Sequence, residues 1–195
     1  MLESLKKIVD AEFYESVSWS PAVYRGNPFL VEAGVAYGVK GHDAEKQIRL
    51  MRLANRVPLL HQQGACAITK SVATIGWRGY GLNQPNGSLP IGPMLMLVHV
   101  ASVWVPFTSE SKEAIAHYPE ITKEIRLALQ ECGRKLARHL RRKKRAAEET
   151  RKRTHIEKYI PHIGIALKDI LALDDKQEQR VVNSLTGVLE RSRKG

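Results

Sequence analysis

The sequence predicts an α+β fold: a mostly antiparallel sheet, covered mainly on one face by helices, followed by a long C-terminal helix and short helices. Strand-like apolar runs are grouped in the first half of the chain, whereas apolar residues recur three or four positions apart over residues 121–140, as expected of a helix. At 195 residues and 43% hydrophobic content, the chain is long enough to bury a core.

The pattern divides the chain into three expected regions. Residues 1–20 are predicted to be an N-terminal helix and linker, residues 21–140 the main domain, and residues 141–195 a helical stalk and C-terminal tail. The last boundary is placed where the apolar stripe of the long helix ends.

The first half of the chain is predicted to alternate helices and strands. Apolar residues at helical spacing predict an amphipathic helix over residues 2–15. Residues 29–37 are predicted to form a strand, and residues 48–60 a second, half-buried strand. A helix is expected to begin at Gly64 and to end near Ile75.

Residues 94–105 form the strongest strand-like run, and few polar residues interrupt it. Such a run is typical of a central strand. The preceding residues 81–93 collect glycine, proline, asparagine and serine, which predicts a loop without core positions. After the strand, Ser109 or Thr108 is predicted to cap a helix.

A long helix is predicted from an apolar stripe made by Ile121, Ile125, Leu129, Cys132, Leu136 and Leu140. Residues 141–153 carry almost nothing apolar, so this part of the helix is expected to continue in solvent. Pro161 is predicted to break the helix, and residues 165–173 and 181–189 to form two short amphipathic helices.

The composition points to an anionic partner, because the formal net charge is +11 and the isoelectric point is near 9.8. Two cysteines, Cys66 and Cys132, do not make a disulfide framework. Residues 1–10 lack the apolar core of a signal peptide, and the longest apolar run, residues 94–100, is too short to span a bilayer. A cytoplasmic location without a membrane partner is therefore expected.

The most informative stretch is residues 54–70, ANRVPLLHQQGACAITK. An apolar run closes at residues 58–60, residues 62–64 break it, and small and β-branched residues lead to Lys70. A lysine held beside such a turn could reach a phosphate as a point charge. The alternative is a surface lysine early in an amphipathic helix.

This stretch resembles the transducer domain of the B subunit of archaeal DNA topoisomerase VI, and the resemblance covers roughly residues 10 to 160. Long ordered strings of this kind are more specific than a short phosphate-loop pattern. Further strings that carry the resemblance are residues 23–29, 31–34, 98–102, 105–109, 111–115 and 118–121.

The resemblance implies that Lys70, supported by Gln63, is a switch lysine that reaches the terminal phosphate of ATP in a separate Bergerat-fold ATPase region. A chain of this family would couple ATP binding and hydrolysis to cleavage and strand passage of double-stranded DNA by the topoisomerase VI A subunit, within a heterotetramer. ATP and Mg²⁺ would be bound by the complete B subunit, because the nucleotide motifs of that ATPase are absent from this sequence. The chain is expected to be a fragment or a split-gene product, inactive alone.

Trp77-Arg78-Gly79-Tyr80 resembles a family motif of tryptophan, lysine, any residue and tyrosine that is linked to DNA contact. Arg78 replaces the lysine, keeps the charge and adds a planar fork suited to phosphate. The alternative is that Trp77 and Tyr80 pack in the core. The glycines at 76, 79 and 81 do not predict a nucleotide loop, because bulky residues stand between them.

A basic run on the long helix is a candidate for binding DNA phosphates in a salt-sensitive, sequence-independent way. The alternative is a solvated helix face. The run consists of Arg141, Arg142, Lys143, Lys144 and Arg145.

The tail supplies a candidate surface for the A subunit, because buried apolar anchors dominate such interfaces. The candidate anchors are Ile165, Ile170, Leu185 and Leu189.

The seven histidines predict no metal site, since no pair has the spacing of a zinc helix. His99 lies in the strongest strand and is predicted to be a satisfied core histidine. No Ser, His and Asp constellation can be assigned. Beside the coupling module, a stand-alone basic nucleic-acid-binding adapter without ATPase coupling remains an alternative function.

Overall fold

The computed structural model describes residues 1–191 and divides the chain into two compact units, Met1–Arg141 and the residues from Arg142 onward. The helices are α1 (Leu2–Ile8), α2 (Ala67–Thr74), α3 (Pro119–Leu171) and α4 (Asp175–Arg191). The strands are β1 (Phe13–Ser18), β2 (Ala22–Tyr24), β3 (Asn27–Tyr37), β4 (Arg49–Ala54), β5 (Val57–Pro58) and β6 (Met94–Ser102). The predicted α+β class is confirmed.

The first unit is built on a six-stranded sheet in the order β1-β3-β6-β4-β5, with β2 also paired to β3. β3 and β6 pair antiparallel from Phe29 opposite Ser102 to Tyr37 opposite Met94. β4 runs parallel to β6, and the other pairs are antiparallel. The prediction of a mostly antiparallel sheet is therefore confirmed, and the strand predicted over residues 94–105 lies at its centre but ends at Ser102.

The two faces of the sheet bury unequal cores, because successive side chains of a strand point to opposite faces. On the larger face, residues of β3 and β6 pack with α2 and with the part of α3 in the first unit. The opposite face holds a small cluster that includes Leu5 of α1 together with Ala36, Leu95 and Leu97. Helices thus cover mainly one face, as predicted.

The N-terminal helix is shorter than predicted. α1 ends at Ile8, and β1 begins at Phe13 and pairs with β3. The Tyr14 hydroxyl closes the intervening turn, because it donates to the Val9 carbonyl at 2.8 Å and accepts from the Ala11 amide at 2.6 Å. The helix prediction for residues 9–15 was wrong because ladder hydrogen bonds to β3 outweigh a weak helical pattern.

The strand predicted over residues 48–60 is a hairpin. β4 and β5 are joined by Asn55 and Arg56, whose φ angles are 47° and 71°. Two consecutive left-handed residues are the geometry of a two-residue hairpin turn. The turn reverses the chain and so directs the residues after β5 back along β4.

The helix predicted after Ser109 is absent. Residues 107–115 form a loop closed by a bridge between Phe107 and Ile115, and Thr108 hydrogen bonds to the Ala114 carbonyl instead of capping a helix. Ala114 and Ile115 are both buried. α3 begins later, at Pro119, since proline suits the first position of a helix.

The second unit contains the C-terminal part of α3 and α4. Pro161 lies inside α3, so the predicted break there was wrong. Proline removes one backbone hydrogen bond and crowds the preceding turn, but the helix continues past it. At Gly164 a Cβ atom would lie 2.5 Å from Cγ2 of Val182, which shows how closely the two helices approach. Lys168 pairs with Asp175 and with Glu178.

Candidate functional site

Lys70 lies on the exposed side of α2. The opposite side of this helix is buried through Ala67, Ile68, Ser71 and Val72. Within residues 1–191 the Lys70 ammonium group has no hydrogen-bond or ion-pair partner, and its side chain is exposed. α2 begins at Ala67, after a 3₁₀ turn over Gln63–Ala65, and not at Gly64 as predicted. The geometry leaves this lysine available to an external anion.

The loop over residues 59–66, which we call the lysine loop, leads into α2. Its central residues are exposed, and Gln62 has a left-handed φ of 49°. Gln62 donates to a carboxylate oxygen of Glu113 at 2.8 Å, and Nε2 of His117 lies 3.0 Å from the Ala65 carbonyl oxygen. Gln63, the residue after Gln62, is exposed. The loop is therefore anchored to the segment before α3, although it is open to solvent.

A second tether comes from beneath the lysine loop. Arg52 of β4 is 4% exposed, and its Nη2 donates to the carbonyl oxygens of Leu59 at 2.7 Å and His61 at 3.0 Å. Sequence reasoning missed this residue. The available signal was a lone arginine at a position of β4 whose alternating neighbours, Leu50 and Ala54, face the core.

Trp77 is fully buried, and its indole Nε1 donates to the Val72 carbonyl at 2.8 Å. The ring of Tyr80 lies 5.7 Å from that of Trp77 and packs on Gly133 of α3, where a Cβ atom would come within 3.0 Å. For these two aromatic residues the structure favours the packing alternative. Arg78 is exposed, with Nε donating to the Gln84 carbonyl at 3.0 Å, so its contact with nucleic acid stays a prediction.

The loop over residues 81–93 does contain core positions, contrary to prediction. Leu82 and Gln84 are buried. The Gln84 side chain accepts from the Trp77 amide and donates to the Ala73 and Ser88 carbonyls, each at 3.0 Å. A buried amide with three satisfied hydrogen bonds fixes the loop that Arg78 contacts.

His99 is a satisfied core histidine, as predicted. Its Nδ1 lies 2.9 Å from a Glu32 carboxylate oxygen, and its Nε2 accepts from the Arg56 amide at 3.1 Å. Because Nε2 accepts a hydrogen bond, the ring N–H is on Nδ1, which donates a hydrogen bond to the Glu32 carboxylate. Burial raises the pKa of Glu32, but hydrogen bonds from His99 and Ser18 outweigh burial and hold it below its ordinary value.

The basic run lies on α3, and Arg141 belongs to the first unit and residues 142–145 to the second. All five side chains are exposed. Arg141 donates to the Ala137 carbonyl at 3.2 Å, and Lys144 lies 3.9 Å from Glu148. An exposed helical run of this charge is compatible with phosphate binding.

The four candidate anchors of the tail lie on α3 and α4. Ile165 and Ile170 are 50% and 76% exposed, and Leu185 and Leu189 are half-buried. α4 has no buried residue, although its apolar side chains share one side. Within residues 1–191 no three potential metal ligands are close enough to hold an ion, and no described helix is long and apolar enough to cross a membrane.

Comparison with known proteins identifies relatives along most of the chain. The family model described as "Topoisomerase VI B subunit, transducer" matches residues 1–152. The B subunit of type 2 DNA topoisomerase 6 from Methanosarcina acetivorans is 46% identical over 185 residues, which cover 95% of this chain and 30% of that protein. The corresponding protein of Archaeoglobus fulgidus is 44% identical over 187 residues, 96% of this chain and 31% of that protein.

Structural similarity is weaker. The B-subunit of the DNA gyrase from Myxococcus xanthus aligns with 66% of this chain and 40% of its own, at 20% identity and a TM-score of 0.38. A score this low does not establish a shared fold. The sequence comparisons, in contrast, show that the chain spans about 30% of the length of the relatives it matches.

Proposed function

The chain belongs to the transducer family of the topoisomerase VI B subunit, and from this membership we propose that it couples ATP binding and hydrolysis in a Bergerat-fold ATPase region to DNA cleavage and strand passage by the A subunit. The observation that carries the proposal is the exposed Lys70, presented on α2 behind an anchored loop. The stretch that includes it lies within the family match.

Lys70 is proposed to contact the terminal phosphate of ATP bound by the ATPase region, with Gln63 in support. The attraction between an ammonium group and a triphosphate is strongest where water is partly excluded, and it weakens when the terminal phosphate leaves. The residues of this chain fit one such contact and not a whole nucleotide site, because Lys70 stands on an open helix surface. ATP and Mg²⁺ would be held mainly by the other region.

The route by which a displaced α2 would act is the larger core of the first unit. Ile68 and Val72 of α2 are buried in the same cluster as Ile121 and Ile125 of α3. Closely packed interiors transmit displacement because they have few voids. A change at Lys70 would thus reach α3, whose later residues are proposed to act on the A subunit.

The first test is whether this chain binds ATP by itself. Because the nucleotide motifs of the ATPase are absent from this sequence, we expect no saturable heat when a non-hydrolysable ATP analogue is titrated into the chain. The control is the same titration into a complete B subunit of the family, which should show saturable binding. Micromolar affinity of the isolated chain would contradict the coupling role.

Duplex DNA is the proposed partner of the basic run. A cytoplasmic site of action is proposed as well. Reversing the charge of Arg141, Arg142 and Lys144 is expected to weaken duplex binding and to flatten its dependence on salt, because each neutralised phosphate releases counterions. Fluorescence anisotropy at several salt concentrations measures both effects.

The matched control for charge reversal is Lys40, Lys46 and Arg49, three exposed cations of the first unit. Reversing these charges changes the net charge by the same amount. Equal loss of binding in both variants would contradict a localised DNA surface. It would favour the second candidate function, a basic adapter that binds nucleic acid by its net charge of +11.

A further inference from the structure

Arg52 carries a guanidinium group into the interior of the first unit. The side chain is 4% exposed, whereas Arg49, on the same strand, is exposed. Within residues 1–191 no carboxylate forms an ion pair with Arg52, and its Nη1 is buried without a hydrogen-bond partner. The hydrogen bonds of the Arg52 guanidinium group are therefore made by Nη2.

Packing does not explain an arginine at this position. Taking a charge out of water is unfavourable, and an apolar side chain of similar volume is often as stabilising as a buried ion pair. Methionine could fill the same space without that penalty. The distinctive contribution of Arg52 is thus the pair of charge-assisted hydrogen bonds to Leu59 and His61.

These two bonds fix the entry of the lysine loop. Both backbone groups of Leu59 bond to Arg52, because the Leu59 carbonyl accepts from the guanidinium group and the Leu59 amide donates to the Arg52 carbonyl at 2.8 Å. His61 is the last residue before Gln62, where the backbone turns left-handed. The exit of the loop is fixed separately, since the Ala67 amide donates to the Ile115 carbonyl at 2.9 Å.

We propose that Arg52 is a positioning residue for Lys70: its guanidinium orders the lysine loop so that the first turn of α2 presents the ammonium group in one place. This inference rests on the proposed function for the use made of Lys70. The ordering itself does not, and it can be measured on this chain alone. A loop held in advance loses less conformational freedom when it meets a phosphate.

Amide hydrogen exchange tests the ordering. Arg52→Met keeps the side-chain volume and removes the two hydrogen bonds, so the amides of Ala65 and Cys66, which precede the separately fixed exit at Ala67, should exchange about tenfold faster. Arg52→Lys retains the charge and N–H donors on one nitrogen without the planar fork, and it should give an intermediate increase. Arg49→Met, on the same strand, should change none of them.

The pattern of exchange separates positioning from general stability. Amides of β3 and β6 should keep their protection in Arg52→Met, because these strands do not contact the guanidinium through hydrogen bonds. Unchanged exchange at residues 65 and 66 would overturn the proposal. So would equal acceleration throughout the sheet, which would show that Arg52 only stabilises the core.

Activity in a complex with the ATPase region and the A subunit distinguishes this inference from the proposed function. We expect Arg52→Met to lower kcat/KM for ATP hydrolysis about tenfold, in the same direction as Lys70→Ala. If Lys70→Ala is slow while Arg52→Met is fully active, the inference is overturned and the proposed function stands. If Lys70→Ala is fully active, the proposed function fails, and the exchange result alone decides the role of Arg52.

Discussion

Replacing Lys70 by alanine is expected to reduce ATP-dependent relaxation of supercoiled DNA about ten- to a hundredfold in a complex of this chain with the ATPase region and the A subunit. The variant removes one charge-assisted contact with phosphate, which contributes about 1.5 to 3 kcal/mol. A tenfold change in rate corresponds to about 1.4 kcal/mol. Because the side chain is exposed and makes no hydrogen bond or ion pair within the described residues, the fold should be unaffected.

The matched control for this prediction is Lys123→Ala. Lys123 is also an exposed lysine near the start of a helix, α3. Both variants should melt at the temperature of the unmodified chain, and only Lys70→Ala should be slow. Relaxation at the normal rate by the Lys70→Ala complex would remove the switch assignment.

Polar replacement of the four tail anchors is expected to abolish co-purification with the A subunit. Burial of one large aliphatic side chain contributes about 1.5 to 3 kcal/mol, so losing four should weaken pairing at least about a hundredfold even when the effects are not additive. The replaced residues are Ile165, Ile170, Leu185 and Leu189. All four belong to the second unit, so the first unit should remain folded.

Two further variants complete the pairing experiment. Ser184→Asn changes an exposed polar residue of α4 and should leave pairing intact. Deleting residues 162–195 should abolish pairing as the polar replacements do. A truncated chain that still pairs normally with the A subunit would show that the partner surface lies elsewhere.

The sequence was most informative where one structural period persists over many residues. The nearly uninterrupted apolar run of β6 identified the central strand, and the apolar stripe up to Leu140 identified the long helix. Short windows were ambiguous, as residues 9–15 show, because pairing with β3 decided their structure. The break predicted at Pro161 was wrong for a different reason, because a helix can continue past a single missing hydrogen bond.

At the candidate site, some features could be predicted from the local sequence pattern, and others depend on how distant residues are brought together in the fold. The exposure of Lys70 follows from its place on an amphipathic helix. The tether by Arg52 depends on a hairpin turn that brings residue 52 beneath residues 59 and 61, and no spacing rule shows it. Trp77 was ambiguous because an aromatic residue beside an arginine fits both a core and a binding surface.

The order of the strands has a consequence for how the chain folds during synthesis. β6 lies between β3 and β4 in the sheet, yet it is the last of the six described strands to leave the ribosome. Until residue 102 has emerged, β3 and β4 each lack a neighbour on one side, and unpaired strand edges invite association with other chains. Pairing over so long a sequence separation is also slow. The sheet can therefore close only after β6 has emerged, because β6 joins its two halves.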